Sequence, residues 1–215
     1  TIEVIVSTSA SQGTNATYNQ LPWLTASGSL AVSSTLIERI IFTSKNGGKI
    51  MPTTMENWFK GYTNLVFFDG TGLDVSHVTS FASLFEGDTS LVEVAGMNDW
   101  DTSAAKFFDK AFYNCSSVES LDLRGWTTAT SDMYEWSDPD GEDDGPVDDV
   151  RTLKHNVTKT RSNMLYNMRS LFGITLNSNT AIEGTALSSI YTRTGDVGTW
   201  LASSKGYVDY AAGIT

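Results

Sequence analysis

One stretch of this chain recurs at a fixed interval, which restricts the fold to architectures that stack copies of a single unit. The segment from Phe108 to Trp126 has recognisable copies at 55–68, 81–94 and 163–176. Phe59 to Phe85 is 26 positions, Phe85 to Phe112 is 27, and Phe112 to Leu165 is 53, or two periods. Leu65, Leu91, Val118 and Leu171 keep the same steps, and Trp100 with its Asp-Thr-Ser lies 26 before Trp126. Three markers holding one frame exceed a compositional echo.

Each unit closes on apolar-x-x-apolar-x-apolar, as in Val118, Leu121 and Leu123 or Leu171, Ile174 and Leu176. The last two apolar residues alternate as in a half-buried strand, and the whole is similar to the core of a leucine-rich repeat. Before it, Phe81, Leu84 and Phe85 stand at i, i+3 and i+4, the spacing of one helical face. No such unit buries its apolar face alone, so the strands are expected to stack into a parallel sheet over a shared core. The expected fold is α/β: a leucine-rich-repeat solenoid with a parallel sheet and short helical turns, flanked by β-rich N- and C-terminal caps.

The expected divisions are an N-terminal β cap at 1–52, a solenoid of about four repeats at 53–176, and a C-terminal cap at 177–215. In the first, Ile2, Val4 and Val6 alternate as a strand, and Leu30–Val32 and Ile40–Phe42 give two more around turn-rich segments. Trp23 reads as cap core. In the last, five glycines from Gly184 to Gly213 mark turns, and Tyr207–Tyr210 a short strand or anchoring segment. Trp100 and Trp126 share a repeat position, which a packing role predicts and a unique sugar-stacking role does not.

The motifs Asn114-Cys115-Ser116-Ser117, Leu121-Asp122-Leu123, Trp100-Asp101-Thr102-Ser103, Leu73 to Thr79 and Asn156-Val157-Thr158 together resemble the BspA-like leucine-rich-repeat surface proteins of bacteria. Leu36–Phe42 followed by Pro52 is similar to the segment that opens their arrays. The resemblance spans about residues 20 to 200 and implies a non-enzymatic surface protein that mediates adhesion.

A net charge of −11 repels phosphate backbones and anionic lipid, so nucleic-acid binding is disfavoured. No run approaches the roughly eighteen apolar residues of a membrane span. The single cysteine, Cys115, reads as a buried free thiol. His77 and His155 fall in turns of the repeat frame, and no catalytic motif or phosphate-binding loop is present, so no catalytic, metal or cofactor residue is assigned.

An acidic insertion at 137–150 breaks the rhythm with seven carboxylates and no basic residue. A solvated loop, calcium binding and docking onto a basic partner are the open readings. The EF-hand pattern fails, since the glycine stands fourth and no Glu stands twelfth. Arg151, Lys154, Lys159, Arg161 and Arg169, just downstream, could serve as an internal partner.

The expected partner is a protein or glycan surface ligand, and the expected location the cell exterior. Residues 1–10 lack the form of a signal peptide, from which either removal of a leader or trimming of an initiator Met follows. The second expectation is therefore a structural virion component of a bacterial virus, a capsid decoration or tail-associated adhesion protein, with self-assembly possible in that case.

Overall fold

Two consecutive tight turns followed by a three-residue strand make up each unit. In the first unit the Trp58 N–H donates to Met55 O at 3.3 Å and the Tyr62 N–H to Phe59 O at 3.1 Å. The third residues of these turns, Asn57 and Gly61, have φ of 59° and 77°. Ser83 and Gly87, Lys110 and Asn114, and Asn163 and Asn167 repeat the pair in the later units, all with positive φ. A type II turn requires that conformation at its third residue, and Gly or Asn adopts it at least cost.

The helical turn expected at Phe81–Phe85 is thereby overturned, because a left-handed residue every fourth position cannot belong to a right-handed helix. Among the described residues there is no α-helix, and the helical content is one 3-10 turn at Ser34–Leu36. The computed structural model describes residues 2–7, 16–17, 21, 32–44, 47–137, 150–182, 184–187, 198–202 and 207–212.

The strands are β1 (Ile2–Ser7), β2 (Ala16–Thr17), β3 (Ile37–Thr43), β4 (Ile50–Met51), β5 (Phe67–Asp69), β6 (Glu93–Ala95), β7 (Ser120–Asp122), β8 (Ser131–Ser137), β9 (Val150–Val157), β10 (Gly173–Thr175), β11 (Gly198–Ala202) and β12 (Tyr207–Ala212). They form small sheets in the orders β1-β3-β5-β6, β11-β12-β10-β7, β2-β4 and β8-β9. The first sheet is parallel throughout, with Val4 opposite Ile40, Ile40 opposite Phe68 and Phe68 opposite Val94. In the second, β7 and β10 are parallel, and the hairpin β11–β12 adds antiparallel to β10.

Strands β6 and β7 are not paired. The α/β leucine-rich-repeat solenoid expected from the sequence is therefore corrected on two grounds: the helices are missing, and the one continuous parallel sheet is replaced by separate small sheets. Strands of three residues offer few ladder bonds, and they part where the step grows from 26 to 27 residues.

The units are joined mainly through their turns. The N–H groups of Met55, Asn57, Phe59 and Gly61 donate to Ser80, Ala82, Leu84 and Glu86 in the next unit, at 2.9–3.0 Å. Phe81, Ser83, Phe85 and Gly87 repeat this onto Phe107, Asp109, Ala111 and Tyr113. Phe108, Lys110, Phe112 and Asn114 donate in turn to Thr160, Ser162, Met164 and Tyr166. The 53-residue step is thus one structural step, and the chain between loops out through the β8–β9 hairpin. Beyond the fourth unit, Gly184 O and Thr185 O accept from Asn163 and Leu165.

Inside runs a column of rings. Phe59 stacks on Phe85 with centroids 5.2 Å apart, and Phe85 on Phe112 at 5.5 Å. Phe81 stacks on Phe108 and Trp100 on Trp126, at 5.7 and 6.0 Å. Leu165 continues the first column, and all of these residues are buried. Both tryptophans are core, as the shared repeat position predicted, and Cys115 is a buried free thiol. Trp23, Leu30 and Ala31 of the expected Leu30–Val32 strand, and the carboxylates of 138–149 lie outside the described residues, and Val32 is not in a strand.

Candidate interaction surface

Strand alternation should place polar residues outward, yet three units present an apolar side chain at one outward position just before the strand. Val66, Val92 and Phe172 are 42%, 39% and 53% exposed. Glu119 fills the same position in the third unit and is exposed. Val66 N–H donates to Glu38 O at 2.8 Å and Val92 N–H to Val66 O at 2.9 Å, which places Glu38, Val66 and Val92 in one row. Phe172 N–H donates to Glu119 O at 2.9 Å in the same way. The parallel register sets the first row, so Val66 and Val92 stand side by side because their units stack, while Phe172 stands beside Glu119 in the second sheet.

The adjoining row is made by Arg39, Phe67 and Glu93. The Arg39 guanidinium lies 4.1 Å from the centre of the Phe67 ring, and its Nε donates to Glu3 Oε2 at 2.8 Å. On the turn side, Lys60 pairs with Glu86 at 2.9 Å and Tyr113 stacks on Tyr166 at 4.9 Å. Burial opposes ionisation of Glu86, but the Ser83 hydroxyl with Lys60 and Lys110 holds its carboxyl below the usual range.

At the carboxyl ends of β5 and β6 lies a shallow cavity of about 180 Å³ lined by Lys49, Thr71, Leu73, Gly96, Asn98, Asp99 and Trp100. Trp100 at its edge is buried, and its Nε1 donates to Gly70 O at 3.3 Å. Its rim is polar: Thr71 donates from both N and Oγ1 to Asp69 Oδ1, and Asn98 Nδ2 to Asp99 Oδ1. Below it, Asp74 accepts from the N–H and hydroxyl of Ser76. Burial pushes the Asp74 carboxyl up, but these bonds with Lys49 and His77 bring it below its ordinary value.

Gly96 lets the two loops around the cavity nest. Its φ is +73°, and a Cβ there would come 2.4 Å from the Thr71 N and 2.6 Å from the Thr71 Oγ1. Gly96→Ala is expected to cost about 2–4 kcal/mol, left-handed strain plus overpacking. Gly61→Ala, with φ +77° and nothing within 4 Å, should cost about 1–2 kcal/mol from strain alone. Equal losses in chemical denaturation would remove the nesting from this account.

Sequence reasoning assigned no catalytic, metal or cofactor residue. Among the described residues no group of three or more His, Cys, Asp or Glu side chains is arranged to hold a metal ion. No helix among them is long and apolar enough to cross a membrane. His77 is an exposed turn residue beside the Ser76 hydroxyl. Of the basic residues considered as partners of the acidic insertion, Arg161 donates to Thr128 O at 3.2 Å and Arg169 to Asn167 Oδ1 at 2.7 Å; the side chains of Arg151 and Lys154 lie outside the described residues.

Lys159, a candidate partner of the acidic insertion by sequence, has its ammonium on main-chain carbonyls instead. It is buried, and its Nζ donates to Ser103 O at 2.8 Å, Ala105 O at 2.7 Å and Thr102 O at 3.3 Å. Burial pulls its ammonium below the ordinary lysine value, with Asp101 opposing. No sequence signal distinguishes it from Lys106, its exposed equivalent 53 positions earlier.

No curated protein and no solved structure matches the chain. Residues 53–136, which hold the first three units and enter the β8–β9 hairpin, match the family described as Mycoplasma protein of unknown function, DUF285.

Proposed function

We propose that the chain is a non-enzymatic recognition module that binds a protein or glycan ligand at the outer surface of a cell, through the row carrying Val66 and Val92. The observation that carries this reading is the repeated exposure of apolar side chains at one outward position. Exposed apolar side chains that adjoin one another, as Val66 and Val92 do, are a mark of interaction surfaces. The beside-lying Arg39–Phe67 pair adds a cationic and aromatic element of the type enriched at interfaces. The resemblance to BspA-like surface proteins supports the same reading.

The test is a binding screen of the purified chain against matrix proteins, mucins and a glycan array, repeated with Val66→Lys and Val92→Lys combined. Binding by the wild type should weaken about tenfold or more in the double variant, as loss of a central apolar contact pair does. Denaturation midpoints should stay close, because both side chains already face solvent. Binding that ignores the two substitutions would exclude this row as the recognition surface.

A further inference from the structure

Asp88 occupies the repeat position filled by Tyr62, Cys115 and Met168 in the other units. All four are buried, and Asp88 has no solvent exposure. Its Oδ1 accepts the Tyr62 N–H at 2.8 Å, and the Gly61 N–H also reaches the carboxyl. It therefore ties the second unit back to the second turn of the first. Its Oδ2 is buried with no hydrogen-bond partner. The titratable side chains at the same level are Tyr62 in front and Cys115 behind, and no charged group acts on the carboxyl. The Cys115 thiol donates to Phe85 O at 3.0 Å, and burial together with Asp88 pushes it up, so it stays neutral and adds no second negative charge.

A carboxylate buried with one oxygen unpaired costs several kcal/mol, so a group in this setting takes up a proton instead. We propose that Asp88 is a proton-linked latch: it folds in as the neutral acid and holds the first unit on the second, and its ionisation loosens the seam at Gly61 and Tyr62. Burial outweighs the two N–H bonds and pushes the carboxyl up to about 9. The folded state then holds one proton more than the unfolded chain between an ordinary Asp value near 3.8 and about 9. The latch contributes fully below the lower limit and is lost as pH rises through the upper one.

The experiment is urea unfolding of the wild type and of Asp88→Asn from pH 5 to pH 8. The wild-type folding constant, divided by that of the variant, should fall about tenfold per pH unit. A ratio independent of pH overturns the latch. Should Asp88→Asn fail to fold, Asp88→Cys, which installs the third unit's own residue, takes its place. The side-chain carboxyl carbon of Asp88 in the wild type is the independent readout: it should remain in the protonated state at pH 7. Titration near pH 4, with the exposed carboxylates, would overturn the proposal outright.

Discussion

Phe85→Ala is expected to cost about 3–5 kcal/mol, the range for truncating a fully buried phenylalanine. The expectation rests on position. Phe85 packs between Phe59 and Phe112 in the ring column and meets the edge of Phe68 at 5.0 Å. Its removal deprives two inter-unit seams at once, and backbone hydrogen bonds fix the neighbouring turns, so the gap cannot collapse. Against a total stability of about 5–15 kcal/mol, a loss of this size would leave a substantial unfolded population. Phe107→Ala is the control, since that ring is 47% exposed and its loss should stay near 0.5 kcal/mol. Urea midpoints of the two variants decide the matter, and equal shifts would mean that Phe85 is not in the column.

The second large effect belongs to Lys159→Met. Methionine keeps most of the stem volume but removes the ammonium from the Ser103 and Ala105 carbonyls, while Thr102 O keeps the Ala105 N–H. Replacing a buried charge with an apolar group of similar size can be neutral or even stabilising, because the desolvation cost disappears with it. Here the opposite outcome is expected, because all three ammonium donors are used and the Ala105 carbonyl left behind is buried. At about 1–3 kcal/mol for a buried group left unpaired, a net loss of about 1–3 kcal/mol is expected. The residue also fixes where the chain re-enters after the hairpin, next to Thr160, whose N–H donates to Lys106 O. Lys106→Met should change stability by no more than about 0.5 kcal/mol. A stable Lys159→Met protein would show that the Ser103 and Ala105 carbonyls find other donors.

The column was legible because large apolar side chains are costly to misplace, so Phe59, Phe85 and Phe112 hold their spacing while the surface varies. Strands β5, β6, β7 and β10 fall where the apolar-x-apolar ends were read. The turns were misread for a physical reason. Residues at i, i+3 and i+4 share a face in a helix, but two successive type II turns also return apolar residues to one side. The discriminating signal was present in Gly61, Gly87, Asn114 and Asn167, which favour the left-handed region a helix forbids. The 53-residue step hid a hairpin, because periodicity cannot distinguish a degraded unit from an excursion between adjacent ones. Asp88 carried a signal as well, a carboxylate at a position otherwise given to Tyr, Cys and Met. Lys159 carried none, since its role depends on three main-chain carbonyls, which leave no trace in side-chain identity.

The most direct measurement is of scalar couplings across hydrogen bonds in the isotope-labelled protein, which report donor and acceptor residue by residue. The amide nitrogens of Phe59, Phe85 and Phe112 should couple to the carbonyl carbons of Leu84, Ala111 and Met164 respectively. Couplings from these nitrogens to carbonyls four residues earlier in the same unit would restore the helical turns and contradict the stacked-turn architecture.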